Sequence, residues 1–361
     1  MSARSVAGRI TAGWDEGFGG AASVTLGAVA AAYRGLLETR GWLYERGVLR
    51  ARTLSCPVVS IGNLTVGGTA KTPAVELAVR TLTELGHRPA IVSRGYGRKS
   101  RGVHVVADVA SIRLEPEDAG DEPFLLARRL PGVPVVVGAD RWDAARVAVD
   151  TCGATAIVLD DGLQQRSLAT SLTIVMARAR RPWGNGRLLP AGPLREPLGA
   201  LARADLVIAA GTGDVSAEDV GAAVARYAPR VPVATATLEP VACWEARRME
   251  AVPLQRLAGL RVVSFSGIAV PAAFAATLRG LKMADDVLAF PDHHWYSRAD
   301  LRALETRAAT ADAALVTTEK DWVRLRGRLG AGPPLYVVSV ALRIVTGAAE
   351  WRDVFDQCRP A

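Results

Sequence analysis

Short apolar runs alternate with stretches of helical period from residue 57 onward, and that alternation predicts the fold class. PVVSIGN (57–63) reads as a buried strand. Pro73 then sits where a first helical turn tolerates proline. Val75, Ala78, Val79, Leu82 and Leu85 follow at near-helical spacing, and Gly86 supplies a stop. PAIVSRG (89–95), VPVVVGA (133–139), ATAIVLDD (154–161), SLTIVMA (171–177) and ADLVIAA (204–210) are further strands. Short apolar strands alternating with helices imply parallel pairing, hence a doubly wound, mostly parallel α/β sheet.

The pattern changes near 230–258, where strand-like VPVATATLEPV meets a polar stretch. RVVSFSGI (261–268) begins a second α/β series, followed by a helix through Phe274 and Leu278 and by DVLAFPDHH (286–294). Ser297 and Asp300 read as a capping box opening the next helix. ALVTTEKD (314–321) and PLYVVSVAL (334–342) complete the set. The boundary falls near 238, giving a larger domain over 53–238 and a smaller α/β domain over 239–361.

Residues 1–52 read differently. Residues 17–33 carry no charge but are short for a spanning helix, which needs about 20 apolar residues. The stretch 33–53 mixes apolar residues with five arginines. As a helix it gathers Tyr33, Leu36, Leu37, Tyr44 and Val48 on one face, with Arg46 and Arg50 opposite. Arg40 interrupts that face, and Gly35, Gly41 and Gly47 weaken the helix. It fits a helix lying in a membrane interface, and equally an amphipathic helix packed on the domain. No cleavable signal peptide stands out.

Composition narrows the partners. A net charge of +8 suits an anionic partner such as a nucleotide or a phospholipid headgroup. With no Lys-rich tail and no aromatic-basic run, nucleic acid is not expected. The four cysteines, Cys56, Cys152, Cys243 and Cys358, are widely spaced and read as free thiols of a reducing cytoplasm, not as a zinc site or a disulfide framework.

The strongest chemical signal is Thr65-Val66-Gly67-Gly68-Thr69-Ala70-Lys71-Thr72, between a strand and a helix. A phosphate-binding loop aims successive backbone N–H groups at phosphate oxygens; here Lys71 reaches the outer phosphates and the Thr72 hydroxyl ligates Mg²⁺. The fit to G-x-x-x-x-G-K-[ST] is imperfect, with Thr65 and Ala70 in the glycine positions, and Ala70 strains a backbone that prefers glycine. The alternative is a plain Gly-rich turn. Asp160 and Asp161 end a buried strand, where one of them can hold Mg²⁺ as a Walker B acid does. Asp121 of Gly120-Asp121-Glu122-Pro123 is a candidate proton acceptor, or simply a first-turn acid. His293 and His294 are adjacent in a chain with four histidines, and either a catalytic or a structural role is open to them.

Taken in order, several strings resemble the tetraacyldisaccharide 4'-kinase family of lipid A biosynthesis. They are SIGNLTVGGTAKTP (60–73), SRGYGRK (93–99), GDEP (120–123), GADR (138–141), VLDDGLQQR (158–166), GNGRLLPAGPLREP (184–197), FPDHHWYS (290–297) and TTEKD (317–321). The similarity covers about residues 30–345, and the first 20 or so residues form an extension outside it. The resemblance implies a P-loop kinase that moves the γ-phosphoryl of ATP to the 4'-hydroxyl of tetraacyldisaccharide 1-phosphate, giving lipid IVA. It implies work at the cytoplasmic face of the bacterial inner membrane, with the N-terminal helix as the membrane contact. Carried over by motif, Lys71 and Thr72 hold phosphate and Mg²⁺, and Asp160 and Asp161 serve the metal. Asp121 becomes the base, with His293 paired to it. Arg94, Tyr96, Glu122, Arg141, Arg195 and Glu196 lie near the lipid or nucleotide. Two other readings remain in view: a P-loop phosphotransferase for a soluble substrate, and a nucleotide-dependent switch.

Overall fold

The computed structural model describes Trp14, residues 20–284 and residues 286–359. The expected extension at residues 1–13 and 15–19 lies outside the described residues. The strands are β1 (Val58–Gly62), β2 (Pro89–Ser93), β3 (His104–Ala107), β4 (Val135–Val137), β5 (Ala156–Asp160), β6 (Leu172–Arg178), β7 (Leu206–Gly211) and β8 (Val233–Glu245). They continue with β9 (Glu250–Ala251), β10 (Val262–Ser266), β11 (Val287–Ala289), β12 (Ala314–Thr318) and β13 (Leu335–Thr346). The helices are α1 (Gly20–Glu45), α2 (Lys71–Glu84), α3 (Pro116–Ala119), α4 (Asp121–Arg129), α5 (Arg141–Asp150) and α6 (Glu218–Tyr227). After them come α7 (Pro271–Gly280), α8 (Arg298–Thr310), α9 (Glu319–Leu325) and α10 (Ala348–Asp356).

The strands join one sheet in the order β11-β10-β12-β13-β8-β7-β6-β1-β5-β2-β4-β3, with β9 alongside β8. Pairing is parallel except at β13/β8, β3/β4 and β8/β9. The expected apolar strands are all present, and β1 is buried along its length. Alternation divides its side chains: Val59 and Ile61 join the core under α2 and α4, while Val58 joins the core under α5. The chain leaves β1 toward β2 on one side of β5 and later adds β6 on the other side. A crevice therefore opens at the carboxyl ends of β1 and β5, where ligands bind in open α/β sheets.

β8 runs unbroken through residue 238 and pairs with β13 from Thr235–Thr346 to Glu245–Tyr336. These two strands carry the chain into the C-terminal half and back. Arg129, at the end of α4, braces the join: its guanidinium donates to the Val340 carbonyl at 2.6 Å and pairs with Glu76 of α2 at 3.1 Å. The Ser297–Asp300 capping box is formed as expected and opens α8.

The N-terminal helix departs from expectation. α1 ends at Glu45, so Val48 and Arg50 lie beyond it, and Gly47 takes a left-handed φ of 70° in the turn that follows. Leu26, Tyr33 and Leu37 pack on the domain, whereas Leu36 faces outward with 71% of its surface exposed. The face expected to unite Leu36 with Tyr33 and Leu37 is thus divided between the domain and solvent. Among the described residues no helix is long and apolar enough to cross a membrane. All four cysteines are free.

Candidate active site

The loop between β1 and α2 is built in two parts. Its first part is tied down: the Val66 amide donates to the Pro193 carbonyl at 2.8 Å, and the Arg195 amide donates to Leu64 at 2.7 Å. Thr65 pairs with Leu194 in an isolated antiparallel bridge. Beyond it, no partner among the described residues takes the amides of Gly67, Gly68, Thr69 or Ala70. Gly67 has φ 106°, which only glycine adopts without strain. Ala70 has φ 60° and ψ 28°, left-handed as the sequence suggested, at a cost of about 1–2 kcal/mol for a residue with a Cβ. Open amides ahead of a helix make an anion cradle.

Lys71 leads α2. Its ammonium donates to Asn63 Oδ1 at 2.9 Å and lies 3.3 Å from Asp161 Oδ1. Asp161 turns out of β5 with φ 56° and also takes Arg195 Nη1 at 2.8 Å. Burial pushes its carboxyl up, but Lys71 and Arg195 outweigh that and hold it below the usual aspartate value. Asp160 is different. Its Oδ2 accepts from Ser93 Oγ at 3.0 Å, and its buried Oδ1 has no partner among the described residues. Burial, reinforced by Glu122 and Asp161, pushes its pKa to about 7. Thr72 is buried beside this network.

The second group comes from α4 and the C-terminal half. Gly120 (φ 91°) brings the backbone so close to Gly95 and Tyr96 that a Cβ would sit 3.1–3.2 Å from their atoms. That turn starts α4 at Asp121, which is buried. His293 follows β11 in a left-handed conformation (φ 56°) and its Nδ1–H donates to Asp121 Oδ2 at 2.8 Å. Burial alone would raise the Asp121 carboxyl, but His293, Arg324 and Lys320 together hold it below its ordinary value. The same hydrogen bond raises the pKa of His293, against the opposing effect of its burial. His294 serves elsewhere, stacking on Phe290 and meeting Asp300 at 3.1 Å.

The remaining expected residues divide. Glu122 pairs with Lys320. Arg141 is buried and donates to the Gly138 carbonyl at 3.0 Å; burial works against its charge, while Asp160 and Asp161 support it. Arg94 and Tyr96 lie exposed at the rim, with the Tyr96 ring 5.4 Å from that of His293. Glu196 is not in the cluster: it pairs with Arg203 at 2.6 Å, on the side covered by α1.

Several residues of the site carry little signal of their role in the sequence alone. Arg324 is fully buried and holds Asp121 through Nε at 3.3 Å. It also donates to the Gly267 carbonyl at 2.8 Å, which receives the His293 amide as well. Asp321 accepts from the Gly267 amide and the Tyr296 hydroxyl, each at 2.8 Å. The signal was an acid and a base three apart, Asp321 and Arg324, on a short helix directly after TTEKD's strand.

Sheet order, amide cradle, helix-leading lysine and strand-end aspartates place the chain in the P-loop class of nucleotide-using phosphotransferases. A family model described as tetraacyldisaccharide-1-P 4'-kinase matches residues 22–358, and the chain belongs to that family. It is 46% identical to the tetraacyldisaccharide 4'-kinase of Anaeromyxobacter dehalogenans (strain 2CP-C), over 91% of this chain and 89% of that one. It is 43% identical to that of Syntrophus aciditrophicus (strain SB), over 86% and 87% respectively. Among solved structures it resembles the apo form of LpxK from Aquifex aeolicus in complex with ATP, with a TM-score of 0.75 and 29% identity, covering 94% of this chain and 99% of that one.

Proposed function

We propose that this chain is the kinase that phosphorylates the 4'-hydroxyl of tetraacyldisaccharide 1-phosphate from ATP, giving lipid IVA. The observation that carries the reading is the open amide cradle ahead of Lys71, joined through one electrostatic network to the Asp121–His293 pair. In the transfer, the 4'-oxygen forms its bond to the γ-phosphorus as the bond to the β–γ bridging oxygen breaks. ADP leaves with that electron pair, and the hydroxyl proton passes to the Asp121 carboxylate. Asp121 suits this because it is held ionised, and the Nδ1–H of His293 fixes its orientation. Lys71 and the amides of Gly67 to Ala70 bind and align the phosphates. Arg94, Tyr96 and Arg141 face the ligands from the rim and floor, and Arg195 acts by holding Asp161.

The residues fit Mg²⁺. Asp160 offers a buried oxygen without a partner among the described residues, and the Thr72 hydroxyl lies at the start of the same helix as Lys71. So few protein donors suit an ion that keeps waters and takes phosphate ligands. Bound there, Mg²⁺ would neutralise charge on the β- and γ-phosphates.

The acceptor is a multiply acylated amphiphile, so the kinase must meet it at a bilayer surface. We place the protein at the cytoplasmic face of the bacterial inner membrane, with α1 as the contact. Val24, Val29, Leu36 and Trp42 are exposed along α1, and Arg34, Arg40 and Arg46 are exposed on the same segment, a combination that suits anionic lipid. The division near residue 238 then separates the nucleotide-binding half from the half that delivers His293. The test is incubation with ATP, Mg²⁺ and tetraacyldisaccharide 1-phosphate in detergent. A bis-phosphorylated product is expected; its absence from a preparation that binds ATP would sink the reading.

A further inference from the structure

We propose that Lys320 is a second phosphate-facing cation, brought by the C-terminal half, which leaves Glu122 to neutralise the phosphoryl group in flight. The proposal rests on the kinase reading above and names a catalytic residue that reading does not use.

Three features of its placement lead there. The backbone is fixed. Lys320 is the second residue of α9, whose first turn is capped by Thr318 and anchored by Asp321 and Arg324, both buried to within 1% of their side-chain surface. Yet its own side chain is about one-third exposed (32%). The ammonium has three donors, and Glu122 is its one hydrogen-bond partner among the described residues. A flexible four-carbon stem on a rigid base, with donors to spare, can be redirected by a stronger anion.

Its surroundings are those of the transferred group. Glu122 follows Asp121 in the chain and donates its amide to Asp121 Oδ1 at 3.0 Å. Lys320 and Lys71 both act on the Glu122 carboxyl from their separate halves of the molecule. Burial disfavours charge on Lys320, but Glu122, Asp121 and Asp160 outweigh it and hold the ammonium protonated. A permanently charged lysine neither gives nor takes the hydroxyl proton, so its use is electrostatic. The other cation of the C-terminal half in this cluster, Arg324, is fully buried and tied to Asp121 and Gly267. It cannot turn to a ligand.

Phosphoryl transfer spreads negative charge over the three equatorial oxygens of the moving group. Lys71 meets that charge from the loop side. Lys320 meets it from the side of Asp121, where the acceptor hydroxyl enters. The competing role is plain: Lys320 does no more than neutralise Glu122.

Four variants separate the two: Lys320→Met, Lys320→Arg, Glu122→Gln, and Lys320→Met combined with Glu122→Gln. If Lys320 serves the phosphoryl group, Lys320→Met loses about 10²–10³-fold in kcat, the range for a lost transition-state donor. Its ATP affinity stays within about threefold, and Lys320→Arg restores part of the rate. The double variant, which leaves no unpaired charge and guards against misfolding, stays as slow as Lys320→Met. If the double variant instead recovers the rate of Glu122→Gln, the proposal is overturned. A readout free of the lipid acceptor is affinity for ADP with Mg²⁺ and aluminium fluoride, a planar phosphoryl mimic. Lys320→Met should lose at least about tenfold there while ADP alone binds as in the parent. Equal binding of the mimic by both proteins overturns the proposal, whereas a parent that binds the mimic but never phosphorylates the lipid counts against the kinase reading only.

Discussion

The phosphate loop and the His293 region contribute to one site by opposite means. On the loop side the chemistry is local: Asn63, the open amides, Lys71 and Thr72 come from ten consecutive residues, and backbone geometry does most of the positioning. On the other side nothing is local. His293 reaches Asp121 across 172 residues of sequence, and it is held by a Gly267 loop that Asp321 and Arg324 pin from a third segment. A contiguous loop tolerates change around it as long as its own dihedrals survive. A pair assembled from distant segments depends on every brace that aligns it.

The contrast can be broken at several points. Asp121→Asn should have the largest effect, a loss of about 10³-fold or more in transfer with ATP binding intact, because the proposed proton acceptor is gone while the loop is untouched. Transfer near the parent rate in a rapid-mixing assay would remove Asp121 as base. Lys71→Ala should follow, costing about 10²-fold and showing mainly in ATP use, since the cradle loses its cation. Unchanged ATP saturation curves would show that the amides suffice alone.

His293→Ala sharpens the comparison through pH, with a loss of about 10-fold to 10²-fold in rate. In the parent, His293 helps hold Asp121 below its ordinary value, so its carboxylate persists to low pH and the loss of rate that Asp121 itself causes comes only as pH drops through that lowered pKa. Without His293 the carboxyl rises and the part of the acid limb of kcat/KM that Asp121 sets moves to higher pH. A profile that keeps its acid limb would mean that Arg324 and Lys320 set the Asp121 pKa unaided. Ala70→Gly should matter least. It relieves left-handed strain but adds backbone freedom, leaving a net gain of about 0.5–1 kcal/mol, read as nucleotide binding two- to fivefold tighter. Weaker binding in calorimetry would show that the alanine is already accommodated.

The same contrast explains what could be read from the sequence. Strands β1, β2, β5, β6 and β7 announce themselves because both faces are buried and most of their residues are apolar. The loop and the two strand-end aspartates are legible because their chemistry depends on neighbours in the chain. Asp121 and His293 had undecided roles on residue type alone, and only the family resemblance joined them. Lys320, inside the TTEKD string, and Arg324, three residues past it, carry no role there, because an ion pair such as Lys320–Glu122, across 198 residues, leaves no periodic trace. α1 departs from its sequence pattern at its end and across its faces: helical spacing places Leu36 beside Tyr33 and Leu37, but it does not say where the domain surface stops.

The paired strands that carry the chain out along β8 and home along β13 have a mechanical consequence. A single strand between the two halves would act as a swivel. Two strands laddered from Thr235–Thr346 to Glu245–Tyr336 act as a leaf spring. The ribbon can flex out of its plane, most easily near its irregularity at Ile344/Thr346, because Arg129 braces the one at Ser339/Val340. It cannot shear, because a slip of one residue would exchange the faces of every side chain along it. Any movement of His293 and Lys320 relative to Lys71 along this ribbon would therefore keep their lateral alignment.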